Sequence, residues 1–591
     1  MKKRICVLLM AALLAVTGVF TFGGCAAKEE LTGDSKTLNV KIKSSGYGTD
    51  FIHALKEQFE TTFAEEGYKI NVLAPDTALS ETKILQTVYT QKGDSGVDIF
   101  FSSLNARNGV EGNYGQCIAD LTENVWKKAP IKFDKSTEDK TVEEKVAGMD
   151  FQGASEYNGK YYGVPYALAF GGLAVNKKVL ETFKDADGKT LELPKTSNEL
   201  FECARVIMSK ATKPTDVKPF TYSTSGNNYA ISTVNPWLAQ YEGYDRFNQF
   251  WSFEDENGPM VDGEDATRCA EVFAFEGVEK TFEALFEMYD YNVAAQGANS
   301  QTFNQAQGQL MNGDAVFYSV GSWMLNEEYV RWKDNINDVV FIRTPVLSAL
   351  GTKMFGEGTD YAMSDADCEK ALRMIIDGAD QDKAPEDIKP TIDAAFGKDF
   401  KTDDILRVCE ARGYAKNSSG NGAYLNEKSN KKELAYTFLR FIASEDAGKL
   451  IASNTRTPSP FAKECLKDSE IEYLRNLDEI ANSRYFKMIT ADSSGYRKEM
   501  GVNSMFMSYA GEYFANKVRD WRVSIYKDDV YTFKDTVSVA NGDTKHSAKI
   551  ADITINGKYS REPYTICAKA FANEIYKVAI ENLKSGLWKV Q

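Results

Sequence analysis

Residues 37–63 read TLNVKIKSSGYGTDFIHALKEQFETTF. Leu38, Val40 and Ile42 alternate with their neighbours, the two-residue period of a strand. Gly46 and Gly48 break that strand, and Thr49 or Asp50 can cap a helix. Phe51, Leu55, Phe59 and Phe63 then recur every fourth residue, an apolar stripe along one helix face. Working outward, NVLAP at 71–75 reads as a second strand and Thr82 to Gln91 as a second helix. GVDIFFSS at 96–103 reads as a buried strand that stops at serines. The order β-α-β-α-β opens an α/β sheet with helices over its faces.

Upstream lies a different kind of segment. Lys2, Lys3 and Arg4 precede an apolar run from Ile5 to Phe22, then Gly23, Gly24 and Cys25. Basic, apolar and small residues in that order mark a secretory signal over 1–24. The ending resembles the lipobox of bacterial lipoproteins, with Phe22 where leucine is usual. That resemblance implies a diacylglyceryl group on the Cys25 thiol and a polar tether over 25–36. An uncleaved transmembrane anchor is the alternative, since about 20 apolar residues can span a bilayer. Either way the body is expected on the extracellular face of the cell membrane.

The chain has 591 residues, too many for one core, so at least two domains are expected. Its 70 Lys+Arg stand against 85 Asp+Glu, which argues against a nucleic-acid partner. Beyond Cys25 the seven cysteines are odd in number and scattered, so most read as buried free thiols rather than a disulfide framework. With only His53 and His546 and no cysteine–histidine cluster, no metal or cofactor is expected. Asp185, Asp187 and Gly188 in DADGKT lack the spacing of a calcium loop and read as a turn.

Further along, YYGVPYALAFGGLAVNKKVLETF at 161–183 reads as a crossing between two lobes. FIRTPV at 341–346 reads as a second crossing. Thr196 to Ser209, Gly277 to Tyr291 and Glu433 to Leu450 read as helices, and Phe571, Ile575 and Val578 mark a last one. Residues 351–412 and 522–560 are less legible. Within 522–560, Asn541-Gly542 and Asn556-Gly557 are turn signals for hairpins.

Four of these stretches resemble the extracellular solute-binding proteins of ABC importers, in the branch that takes sugars and oligosaccharides. They are GVDIFFSS with CIADLT, YYGVPYALAFGGLAVNKKVLE, FNQAQGQLMNGDAVFYSVGSW and SNKKELAYTFLRFIASEDAGKLI, in the family's order. The resemblance implies an α/β fold of two periplasmic-binding-protein-like lobes (type II), hinged, with ligand between them. Residues 37–167 plus 346–450 are expected as lobe 1, with an insertion at about 351–412. Residues 168–345 plus 451–591 are expected as lobe 2. It also implies a carbohydrate ligand, ABC transporter permease subunits as partners, a monomer and no enzymatic activity.

A sugar offers CH-rich faces and a rim of hydroxyls, which call for aromatic rings and short polar groups on strand-end loops. Trp323 follows the strand in DAVFYSVGSW on a Gly-Ser loop, and the matching tryptophan of maltodextrin-binding relatives stacks on ligand. Core packing is the alternative for it. Trp237 is a second platform candidate, against helix packing. Tyr47 lies on the first strand-end loop. Ser102, Ser103 and Asn105 end the 96–103 strand and can reach hydroxyls, or else cap the loop. Tyr166 and Phe170 can line the cleft floor. Asp98 is expected to fix the strand-loop junction. The glutamate of maltodextrin binders is absent at Ala169, as is their acid near Asn105. Two other readings stay open: an oligopeptide-binding protein, and a secreted glycoside hydrolase, which would need two carboxylates about 5–10 Å apart.

Overall fold

The computed structural model describes residues 31–490, apart from 92–95, 150–154, 214, 224–228, 230, 262–266, 290–292 and 419. Beyond these it describes four strands between 530 and 556 and residues 562–585. The signal, Cys25 and the first half of the tether, 25–30, lie outside the described residues.

Two mixed sheets organise the chain into two α/β lobes. In the first, strands Thr37–Ile42, Lys69–Val72 and Ile99–Ser103 run parallel. Asn421–Leu425 joins Ile99–Ser103 antiparallel, and Gly163–Pro165 joins the far edge. Helix Asp50–Thr62 buries Phe51, Leu55 and Phe59 against this sheet, the stripe read from the sequence. The 433–450 helix is in fact two, Lys432–Ile442 and Glu445–Thr455. Ser444 interrupts it: its side chain accepts from the Ala447 N–H, with Glu445 and Asp446 in the first turn of the second helix.

The second sheet has the order Val339–Ile342, Gly171–Asn176, Ala315–Gly321, Lys218–Thr221. Gly171–Asn176 is antiparallel to both its neighbours, and the last pair is parallel. Its large core takes in Trp237, Phe250, Phe282 and Phe317. The terminal helix Glu562–Lys584 adds Tyr564, Ala568, Ile575 and Ala579 to that core. Two antiparallel strand pairs, Thr536–Asn541 with Thr544–Lys549 and Val530–Phe533 with Ile553–Asn556, precede it.

The chain passes between lobes at three places that touch one another. The first, 166–170, is the crossing read in the sequence. The second is not FIRTPV but residues 416–421. After Val339–Ile342 the chain first builds four helices between Ala349 and Gly413 around their own apolar cluster. The third runs through 455–460. Phe170 bridges Asn417, the Ser418 N–H donates to the Ala169 carbonyl at 2.8 Å, and the Leu168 N–H donates to Pro458 at 2.8 Å.

The helical insertion, expected with the first lobe, makes its polar contacts with the second. Lys195 pairs with Asp377 at 2.7 Å and Asp380 at 2.8 Å, and Arg373 with Glu199 at 2.7 Å. Burial disfavours the charge on Asp380, but Arg412 at 2.8 Å, with Arg343 beyond it, holds that carboxyl far below its usual range. Among the described residues six cysteines are free, five of them buried.

Candidate functional site

The lobes meet where the 44–48 loop of the first faces helix Met324–Glu328 of the second. Trp323 caps that helix and packs half-buried against the first lobe's core. Its indole lies where a side chain at Gly46 would sit, 2.9 Å from an ideal Cβ, so glycine permits the approach. Tyr229 meets the indole edge-on, with centroids 5.8 Å apart. Asn326 donates to the Gly46 carbonyl at 2.7 Å and accepts from Arg456 at 2.7 Å, which ties the rim together.

Glu327 stands four residues beyond Trp323, hence on the same helix face. Its carboxylate also lies against Gly46 and accepts from the Gln307 amide at 2.8 Å. Burial pushes this carboxyl up to about 7, partly offset by Gln307. Tyr47, Tyr318 and Tyr473 all sense its charge. The Tyr47 hydroxyl faces Asn421 and that of Tyr318 faces Ser223, while the Tyr473 hydroxyl and the Gln307 carbonyl oxygen are buried without a hydrogen-bond partner inside the protein. Each such orphan costs about 1–3 kcal/mol unless something outside the fold satisfies it.

Lobe separation would remove the Gly46 side of that burial and bring the carboxyl down toward its ordinary value of 4.5. Its contribution to closure is therefore complete below that value and is lost as pH rises through about 7. Small-angle scattering of the ligand-free protein should show a smaller radius of gyration at acid than at alkaline pH. Glu327→Gln should abolish the difference, and an unchanged pH response in that variant refutes the assignment.

The other sequence candidates separate clearly. Tyr47 lies on the seam loop, buried: it packs edge-on to Tyr166 at 6.0 Å, and its hydroxyl faces Asn421. Ser103 donates to the same Asn421 side chain at 2.8 Å. Tyr166 lies one layer deeper, stacked on Phe51 at 4.9 Å, as a floor under Tyr47. Ser102 is a correction: it is buried and donates to the Leu79 carbonyl at 3.4 Å. Asn105 is another, because it caps helix Ala106–Glu111 and its N–H donates to Glu81 at 2.6 Å. Phe170 points away from the cleft into a cluster with Phe341 and Phe486. Trp237 is fully buried in the second lobe and donates to the Pro345 carbonyl at 3.0 Å, so it is core rather than platform.

Glu327, Gln307, Tyr229 and Asn421 were not singled out in the sequence. The four-residue step from Trp323 was the available signal for Glu327. Asp98 fixes its junction as expected, accepting from the Asn39 N–H, Ser429 and Lys431. Asp185 closes a turn by accepting from the Asp187 and Lys189 N–H groups. Among the described residues no cluster of three or more His, Cys, Asp or Glu could hold a metal, and no helix is long and apolar enough to cross a membrane. A cavity of about 660 Å³ lined by Tyr241, Lys280, Ser348 and Lys353 lies at the insertion seam, away from this cleft.

A probable secreted solute-binding lipoprotein from Streptomyces coelicolor aligns with 83% of this chain and 98% of its own, at 12% identity and a TM-score of 0.50. A chitin oligosaccharide binding protein aligns with 82% of this chain and 98% of its own, at 13% identity and a TM-score of 0.45. The search of curated proteins gave no match. A family model described as bacterial extracellular solute-binding protein matches residues 54–476. That span takes in the first sheet's central strand, all three crossings and the Trp323 helix, and the chain belongs to this family of bacterial extracellular solute-binding proteins.

Proposed function

We propose that the cleft takes a carbohydrate, an oligosaccharide rather than a single sugar, and that the protein passes it to an ABC importer. One observation carries this reading. Trp323 and Tyr229 bring half-buried rings together at the lobe seam over Tyr47, beside buried hydroxyls and an amide oxygen without a hydrogen bond of good geometry. Rings suit the CH faces of a sugar, and the unpaired groups suit its hydroxyls. Ligand bridging both lobes favours the closed form by its differential affinity, which gives a permease a shape to recognise. In the same reading the signal is cleaved before Cys25, and lipid on that thiol holds the body at the extracellular face of the membrane. Membership in this family supports binding rather than catalysis.

Calorimetry with a panel of oligosaccharides tests the reading. Trp323→Ala should weaken the best ligand at least about three- to tenfold, since ring stacking contributes ~0.5–1.5 kcal/mol beyond area burial. The unfolding temperature should stay close to that of the parent. A collapse of that temperature would make Trp323 a core plug. Binding to peptides with silence toward every glycan would replace the ligand class.

A further inference from the structure

At the other end of the cleft floor, the 416–421 crossing carries a lysine whose surroundings do not explain it. Strand Tyr414–Lys416 pairs parallel with Lys487–Ile489. Tyr414 goes into the second lobe's core and Ala415 into the cluster behind it. Asn417 bridges Phe170 in antiparallel fashion, so Lys416 stands across from Gly171. A Cβ on Gly171 would strike Ser232, in the first turn of helix Ile231–Glu242. Lys416 therefore shares a face with the positive end of a twelve-residue helix. Phe170 and Asn417 face the opposite way, toward Phe486 and Thr490.

Among the described residues the Lys416 ammonium has one hydrogen-bond partner, the Ser418 hydroxyl at 2.9 Å, and no carboxylate within ion-pair distance. Densely surrounded by protein, the residue still keeps part of its surface open to solvent, as at the bottom of a cleft. Burial pushes its ammonium down to about 8, so at neutral pH the charge is still mostly present. A largely covered ammonium held by one hydroxyl, on the same face as the positive end of a helix, is unfavourable in the protein alone. An anion between the two would be favoured by both.

We propose that Lys416, with the first turn of helix Ile231–Glu242, selects an acidic saccharide, one whose uronate carboxylate docks at this end while neutral rings stack at Trp323. The proposal rests on the carbohydrate reading and narrows it. Galacturono-, glucurono- and mannurono-oligosaccharides, each as the free acid and as its methyl ester, make the matched probes, alongside neutral glycans of equal length. Calorimetry of the parent protein should find at least one acid binding about tenfold or more tighter than its own ester. Lys416→Met, which keeps the apolar stem and removes the charge, should erase that preference while the ester's affinity holds. Trp323→Ala should weaken acid and ester alike. Equal affinity for acid and ester, a preference for neutral glycans, or a preference that survives in Lys416→Met overturns the role of Lys416 and leaves the carbohydrate reading standing. Silence toward every glycan overturns both.

Discussion

Trp237→Ala should destabilise the second lobe by about 3–5 kcal/mol, the range for emptying a buried aromatic site. The indole is fully buried among the helices on that sheet, and its N–H donates to the Pro345 carbonyl. Substitution leaves both a cavity and an unpaired carbonyl at the point where the helical insertion begins. Urea unfolding should show an early transition in the second lobe, while the folded fraction binds ligand with parental affinity. Trp323→Ala should give the opposite pattern. A Trp237→Ala protein of normal stability and poor binding would return Trp237 to the cleft.

The second large effect is expected in the first lobe. Asp98 and Lys431 form an ion pair at 3.1 Å, with each side chain only 2% exposed. The carboxylate also accepts from the Asn39 N–H at 2.8 Å and Ser429 at 2.7 Å, and the ammonium donates to the Thr37 carbonyl at 2.7 Å. Breaking a buried pair by removing one partner costs about 3–5 kcal/mol, because it strands the other charge. Lys431→Met should therefore unfold the first lobe early in a urea titration. Adding Asp98→Asn to it should recover a large part of the loss. Two single variants whose losses simply add would show that the residues act independently.

What the sequence disclosed, and what it hid, follows from the range of the interactions. Phe51, Leu55 and Phe59 sit one turn apart, so their shared burial is a local matter visible as a period. The glycines at 46 and 48 also announced a strand-end loop, and that loop is half of the candidate site. Trp237 misled because Thr233 and Gln240 beside it are polar. Both are themselves buried, Thr233 bonded to Ser319 at 2.6 Å and Gln240 accepting from the Leu347 N–H at 3.0 Å. A polar neighbourhood in sequence is no guide to exposure once partners distant in the chain take up some of its groups.

Ser102 and Asn105 failed for a different reason. Short polar side chains at a strand end are readily taken by nearby backbone groups, and here the Leu79 carbonyl and a helix N-terminus claim them. The insertion's placement was hidden because ion pairs such as Lys195–Asp377 join residues far apart in the chain. Asn421 and Lys416 escaped notice because only the second crossing brings them beside Ser103 and Gly171. That crossing falls about 75 residues after FIRTPV, the stretch that reads as a crossing in the sequence.

Hydrogen–deuterium exchange with and without the best-binding oligosaccharide tests the central claim most directly. Residues 44–48 and 417–421 on one side of the cleft and 321–328 on the other should gain protection together, in a single saturable step. Protection confined to one lobe, or centred on the seam between the helical insertion and the second lobe, would contradict a ligand held between the two halves.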